Sequence, residues 1–158
     1  MNKDFLDLIA CLTRHDARFL VVGGYAVAAH GHVRATKDLD IWVDPTDANA
    51  QRVLGALVEF GAPLADLTAS DLAHPHYGFM MGTPPRRIDV LTSVDGLEFA
   101  DAWARQIAFA VAEGQVAPFL SRTDLVANKR AAGRPQDLAD VAALAKADMG
   151  PQRGWQGG

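Results

Sequence analysis

The stretch from Phe19 to Ile41, F-L-V-V-G-G-Y-A-V-A-A-H-G-H-V-R-A-T-K-D-L-D-I, restricts the fold of this chain more than any other part of it. Phe19 to Val22 form a short apolar run rich in β-branched residues and read as a buried strand. Gly23-Gly24 ends that run, and Tyr25 to His30 follow as one or two turns of helix. The glycine pair marks the hand-over from a strand to a helix N-terminus, where backbone N–H groups lack intrahelical partners and the peptide dipoles present their positive end. Such a place suits an anionic phosphate. After Gly31 and a polar turn, Asp38-Leu39-Asp40-Ile41-Trp42-Val43-Asp44 sets acidic against apolar residues at period two. Asp38 and Asp40 therefore project from the same face of a second strand.

Neighbouring carboxylates repel each other, and both stay ionised only beside a cation or enough hydrogen-bond donors. A hard divalent ion such as Mg²⁺ takes oxygen ligands and favours phosphate as a further one, so diglycine and acidic pair together point to a metal–phosphate site. The plainer alternative is that Asp38 and Asp40 face water on an ordinary amphipathic strand. Aspartate is depleted in strands, which favours the ligand reading.

A chain of 158 residues, 49% apolar and 22% charged, suffices for one domain with a core of its own, expected over residues 1–150. Residues 151–158, with three glycines, are expected to form a flexible tail. A formal charge of −4 argues against extensive DNA binding, which needs a basic surface, and leaves room for a small basic patch facing an RNA end. The one cysteine, Cys11, falls on the apolar stripe of the first helix and reads as a small buried hydrophobe in a reducing compartment. The opening M-N-K-D-F lacks a signal-peptide pattern and no run approaches a membrane span, so a cytoplasmic protein without membrane contact is expected.

Taken in order, Asn2 to Asp16 predict an amphipathic helix, with Phe5, Leu8, Ile9 and Leu12 inward. A helix from near Pro45 to Phe60, capped by Asp44 or Thr46 and ended by Gly61, carries Ala50, Val53, Leu54, Leu57 and Val58 as its inner stripe. Thr68 to Asp71 read as a turn or one short helical turn. His76 to Met81 and Arg86 to Thr92 predict a hairpin across Gly82-Thr83-Pro84-Pro85. A short helix over Gly96 to Arg105 and one or two strands around Glu113-Gly114 follow. Ser121 to Asp124 resemble a capping box opening a helix, and Gly133-Arg134-Pro135 breaks it. The last helix, Gln136 to Ala147, is expected to turn Leu138, Val141, Leu144 and Ala145 inward and Asp137, Asp140 and Lys146 outward.

The second hairpin arm, Arg86-Arg87-Ile88-Asp89-Val90-Leu91, sets one acid among residues that look buried. A buried carboxylate is tolerable mainly beside a cation. That cation is either a metal shared with Asp38 and Asp40 or a salt-bridged Arg86 or Arg87. Arg87 shares the Asp89 face by alternation, and reads either as a phosphate contact or as a solvated edge residue. The histidine pairs His30/His32 and His74/His76 complete no zinc signature, and neither G-x-G-x-x-G nor a P-loop nor G-x-S-x-G occurs.

At Val22-Gly23-Gly24 followed by Asp38-Leu39-Asp40, the chain resembles the nucleotidyltransferase superfamily related to DNA polymerase β. The wider run, with Ala26, His30-Gly31, Arg34 and Thr36, is most similar to the small bacterial branch that includes AbiEii-type toxins and minimal nucleotidyltransferases. The later L-V-A-N-K-R-A-A-G-R-P-Q-D-L-A-D resembles the helical C-terminal portion of the same proteins. The resemblance implies an α/β (α+β) nucleotidyltransferase fold, a small mixed sheet flanked by helices and followed by C-terminal helices. It implies Mg²⁺-dependent movement of a nucleoside monophosphate from an NTP to a hydroxyl acceptor, with Asp38, Asp40 and Asp89 as catalytic and metal-binding residues. By the same match Gly23 and Gly24 meet the phosphates, and Lys129 neutralises the triphosphate, the alternative for Lys129 being an ordinary surface lysine. The acceptor, a small molecule, a protein or a tRNA, stays open, as does a groove completed by a partner chain or by a homodimer. The competing reading is a nucleotide-binding component of a toxin–antitoxin pair that acts by association rather than catalysis.

Overall fold

The computed structural model describes residues 1–36, 38–83 and 86–148; the expected tail at 151–158 lies outside them. Helix α1 (Lys3–Arg14) begins at Asn2, whose side chain accepts from the Phe5 backbone N–H, and buries Phe5, Leu8, Ile9 and Leu12 as its 3.6-residue period requires. Strand β1 (Phe19–Val22) runs directly into α2 (Gly23–Ala29), so the glycines form the first turn of the helix rather than a loop ahead of it. Strand β2 (Leu39–Val43) and helix α3 (Asp47–Phe60) follow; Thr46 caps α3, and Gly61 closes it in the left-handed region at φ 87°. Val58, expected on the inner stripe of α3, is exposed, while Asn49 and Ala56 are buried. The stripe is rotated because Asn49 must reach inward to bond the carbonyls of Arg18 and Asp44.

A short helix α4 (Ala69–Leu72) carries a reciprocal Thr68–Asp71 capping box, and β3 (Gly78–Met81) pairs antiparallel with β4 (Ile88–Leu91) as the predicted hairpin. Then come α5 (Phe99–Ala104), β5 (Ile107–Ala112), β6 (Gln115–Phe119), α6 (Arg122–Ala132) and α7 (Pro135–Asp148). Ser121 caps α6, but Asp124 turns its carboxylate to Arg105 instead of completing a capping box. A charged fork from another element outcompetes a neutral backbone N–H for that carboxylate.

The six strands form one mixed sheet in the order β3-β4-β2-β1-β6-β5, antiparallel between β1 and β2 and parallel between β2 and β4. Its central strands β1 and β2 contribute Leu20, Val21, Leu39, Ile41 and Val43 to the core, all 0% exposed. Burying such side chains contributes roughly 1.5–3 kcal/mol each, so the diglycine and acidic segments are anchored by the most buried part of the sheet. Helices α1 and α3 pack against each other, and α6 against α7. Cys11 is buried and free, as expected. Among the described residues no helix is long and apolar enough to cross a membrane.

The last helix departs most from expectation. Asp137 and Asp140 are 1% and 0% exposed, whereas Leu138 is 52% exposed. The inner stripe of α7 is Asp137, Asp140 and Leu144, at i, i+3 and i+7: its first turns face basic side chains, while Leu144 joins the apolar core as expected.

Candidate active site

Strand pairing alone assembles an acidic row. Val22, the last residue of β1, lies opposite Asp40 in β2, and Asp40 lies opposite Asp89 in β4. Neighbouring residues in register share a face, so the Asp40 and Asp89 carboxyls stand side by side. Asp38 lies just ahead of β2, one pleat from Asp40. The chain leaves this row through the turn that starts α2, where Gly23 has φ 67° and a side-chain Cβ would overlap Asp40 Oδ2. At Gly24 a Cβ would fall 2.9 Å from Thr36 Cβ and closer still to its hydroxyl. Glycine is required at both positions by close approach: of Asp40 to the first and of the Thr36 segment to the second.

Among the described residues these acids are crowded and only partly offset by cations. Burial, then the charges of Asp89 and Asp38, push the Asp40 carboxyl from 3.8 up to about 7, with Lys129 pulling weakly the other way. Asp38 Oδ1 is buried without a hydrogen-bond partner among the described residues. The nearby cation is Arg87, whose guanidinium donates to both Asp89 oxygens at 2.9 and 2.8 Å and lies 3.9 Å from Asp38. The salt-bridged alternative for Asp89 thus holds in this state, with Arg87 rather than Arg86 as partner. With Asp89 turned to Arg87, no group of three or more His, Cys, Asp or Glu among the described residues is gathered to hold a metal ion. The donor set nonetheless fits a divalent cation: a buried oxygen on Asp38 with no partner among the described residues, a carboxyl on Asp40 that resists ionisation because of burial and of the acids beside it, and oxygen ligands throughout.

This charge deficit has a measurable consequence. Between pH 3.8 and about 7 the folded protein retains a proton on Asp40 that the unfolded chain has released, so stability of the metal-free protein falls as pH rises through that window. Thermal denaturation in chelator is expected to show Asp40→Asn melting several degrees above the parent at pH 8, and no higher than the parent at pH 4. Mg²⁺ should raise the parent's midpoint at pH 8 and leave that of the variant almost unmoved. Equal midpoints for the two metal-free proteins at pH 8 would remove the charge-deficit account.

A basic wall belongs to the same site as the acids. Lys129 on α6 is buried and meets Asp137 and Asp140 of α7 at 3.2 Å each. Arg134 donates to both Asp137 oxygens, and Arg34 to both Asp140 oxygens at 3.0 and 3.1 Å. Gln136 adds a bond to Asp140 at 2.9 Å. Burial alone would raise the two carboxyls, but hydrogen bonds from Arg134 and Lys129 hold Asp137, and those from Arg34, Gln136 and Lys129 hold Asp140, below the usual carboxylate range. Asp95 lines the same cavity and, with Asp40, also acts on the Arg134 guanidinium.

One cavity of about 490 Å³ is lined by Gly23, Gly24, Asp38 and Asp40 and also by Arg34, Lys129 and Arg134. It therefore gathers five of the seven predicted site residues. Asp89 and Arg87 are not among its lining residues, and connect to it through the β2–β4 register and the Arg87–Asp38 contact. Lys129 is neither a surface lysine nor a free ligand, since both of its aspartates hold it. Sequence reasoning passed over Arg34 and Thr36 as site residues, although Arg34, Thr36, Asp38 and Asp40 continue a single period-two series. It read Asp137 and Asp140 as outward residues of the last helix and Arg134 as part of the break before it, whereas the three form one charged cluster with Lys129.

No curated protein matches the chain. A family model described as a nucleotidyltransferase of unknown function matches residues 4–148, from the start of α1 to the end of α7. Since that match takes in the diglycine turn, the acidic strand pair and the basic C-terminal helices alike, the chain belongs to this nucleotidyltransferase family of unknown function, DUF6036.

Proposed function

We propose that the protein transfers a nucleoside monophosphate from an NTP to a hydroxyl acceptor and releases pyrophosphate. The observation that carries this reading is that one cavity is lined both by the acids Asp38 and Asp40 and by the cations Arg34, Lys129 and Arg134. A metal–triphosphate offers a partner to each, a cation for the acids and phosphate oxygens for the basic side chains. Family membership supports the reaction class; the polymerase-β-like and AbiEii-type kinship remains a reading of the sequence motif.

Asp38, Asp40 and Asp89 would hold Mg²⁺, which when bound neutralises developing charge on the triphosphate. For Asp89 to join them Arg87 must release it, and the freed guanidinium is then at hand for a phosphate oxygen. Gly23 and Gly24, having no side chains, let backbone N–H groups approach the phosphates, and Lys129 contributes positive charge from the basic wall. The acceptor hydroxyl attacks the α-phosphorus, its proton passing to Asp89. A new P–O bond forms as the bond from the α-phosphorus to the β-bridging oxygen breaks, and the electron pair leaves with pyrophosphate. The acceptor is a small molecule, a protein side chain or a tRNA end.

Calorimetric titration of NTP with Mg²⁺, followed by incubation of α-labelled NTP with cell extract, tests the proposal. Binding and a labelled product are the expected results. Binding with no labelled product in any extract would instead support a regulatory role by association, as in a toxin–antitoxin pair.

A further inference from the structure

Asp137 and Asp140 are buried acids that α7 places next to the cavity, and neither is spent on the core. Each is saturated: Asp140 accepts from Arg34, Lys129 and Gln136, and Asp137 from Lys129, Arg134 and the Arg134 backbone N–H. Two fully satisfied carboxylates that each fix an arginine fork are a device for aiming guanidinium groups. Arg34 engages Asp140 through Nε and Nη2, leaving Nη1 turned elsewhere. That atom lies 3.7 Å from the position a Cβ would take on Gly24, the point where the absence of a side chain opens the diglycine turn. Among the described residues it bonds the Ala35 carbonyl, at a long 3.4 Å and in an exposed place. Arg34 is itself three-quarters buried, with its side chain 27% exposed.

From this geometry we infer that Arg34, aimed by Asp140, is a phosphate-binding residue of the cavity, and that Arg134, aimed by Asp137, is its partner at the outer rim. The inference rests on the reading of the cavity as a triphosphate site and adds to it the residues that recognise the polyphosphate. Lys129 then has a different part from its two neighbours. It sits between the aspartates, holds them ionised, and so positions both arginines. Binding phosphate does not break the Arg34–Asp140 pair, because guanidinium has five N–H donors and the pair uses two of them. Helix α7, remote in sequence from the diglycine turn, thereby becomes part of the nucleotide site.

The test is titration of the full chain, with Mg²⁺ present, by NTP, by the matching nucleoside monophosphate and by inorganic tripolyphosphate. Arg34→Met should weaken NTP and tripolyphosphate binding by about tenfold to a hundredfold and change monophosphate binding much less. Asp140 keeps Lys129 and Gln136 in that variant, so the fold is retained, which circular dichroism would check. Asp140→Asn should produce the same selective loss although its side chain meets no phosphate, and Asp140→Glu should recover part of it. Arg34→Lys should bind with intermediate affinity, keeping the charge without the fork. A folded Arg34→Met protein that binds tripolyphosphate as tightly as the parent would overturn the inference while leaving the triphosphate reading in place. A parent protein that binds neither NTP nor tripolyphosphate would overturn both.

Discussion

Replacing Asp38 or Asp40 with asparagine is expected to lower nucleotidyl transfer by at least about a thousandfold, several kcal/mol of transition-state stabilisation, while the protein remains folded. Asparagine is nearly isosteric with aspartate but is a neutral and far weaker ligand for a hard cation. Neither charge is held by a close ion pair among the described residues, Arg87 standing 3.9 Å from Asp38. Asp38 Oδ1 bonds to nothing among the described residues, and the Asp40 carboxyl is raised to about 7 by burial and by the acids around it. At Asp40, removing a charge the fold tolerates poorly is thus expected to silence the reaction and to stabilise the metal-free protein together. That combination separates a functional acid from a structural one, since loss of a structural ion pair lowers activity by lowering stability. A substitution at either position that kept ordinary turnover would show the acid to be dispensable for the chemistry.

Gly23→Ala is expected to have the second largest effect, and with the opposite sign on stability. The backbone at Gly23 is left-handed, φ 67°, where an L-residue is disfavoured by about 1–2 kcal/mol. The added methyl must also displace the Asp40 carboxylate, which backs directly onto it. Together these should cost about 2–4 kcal/mol and lower the melting midpoint by roughly 4–16 °C. Transfer should fall as far as in the aspartate variants, because the carboxylate is pushed off the row it shares with Asp89. A thermal melt and a single-turnover assay on the same preparation would check both parts. Gly61→Ala provides the comparison: Gly61 is also left-handed, at φ 87°, but a Cβ there meets nothing within 4 Å. It should lose stability and keep activity.

The contrast between these two glycines bears on how far the site could be read from the sequence. The strand–diglycine–helix unit and the acidic strand were legible because each is set by a local period. The apolar run at Phe19–Val22 and the alternation after Asp38 leave little else for those residues to form. Pairing of Asp40 with Asp89 was suggested by an acid in an apolar strand, and strand register supplies the reason. The basic wall was not legible in the same way. Hydrophobic periodicity turned Leu138 inward and Asp140 outward, whereas the fold does the reverse. The pattern fails there because α7 packs against Arg34, Lys129 and Arg134, and a helix beside a cluster of cations buries acids as readily as a helix beside a core buries leucines. The part that Arg87 plays, closing on Asp89 while the acids lack a metal, likewise depends on a side-chain contact that alternation could only make available.

The account stands on the acidic row and the basic wall acting together on one triphosphate, and following the α-phosphate tests that most directly. Parallel incubations with cell extract would use NTP labelled at the α- or the γ-phosphate, with the parent protein and with Asp40→Asn. The predicted result is α-label transferred to an acceptor and γ-label released as pyrophosphate by the parent, with neither from the variant. γ-Label in the acceptor, or equal α-labelling by parent and variant, would contradict it.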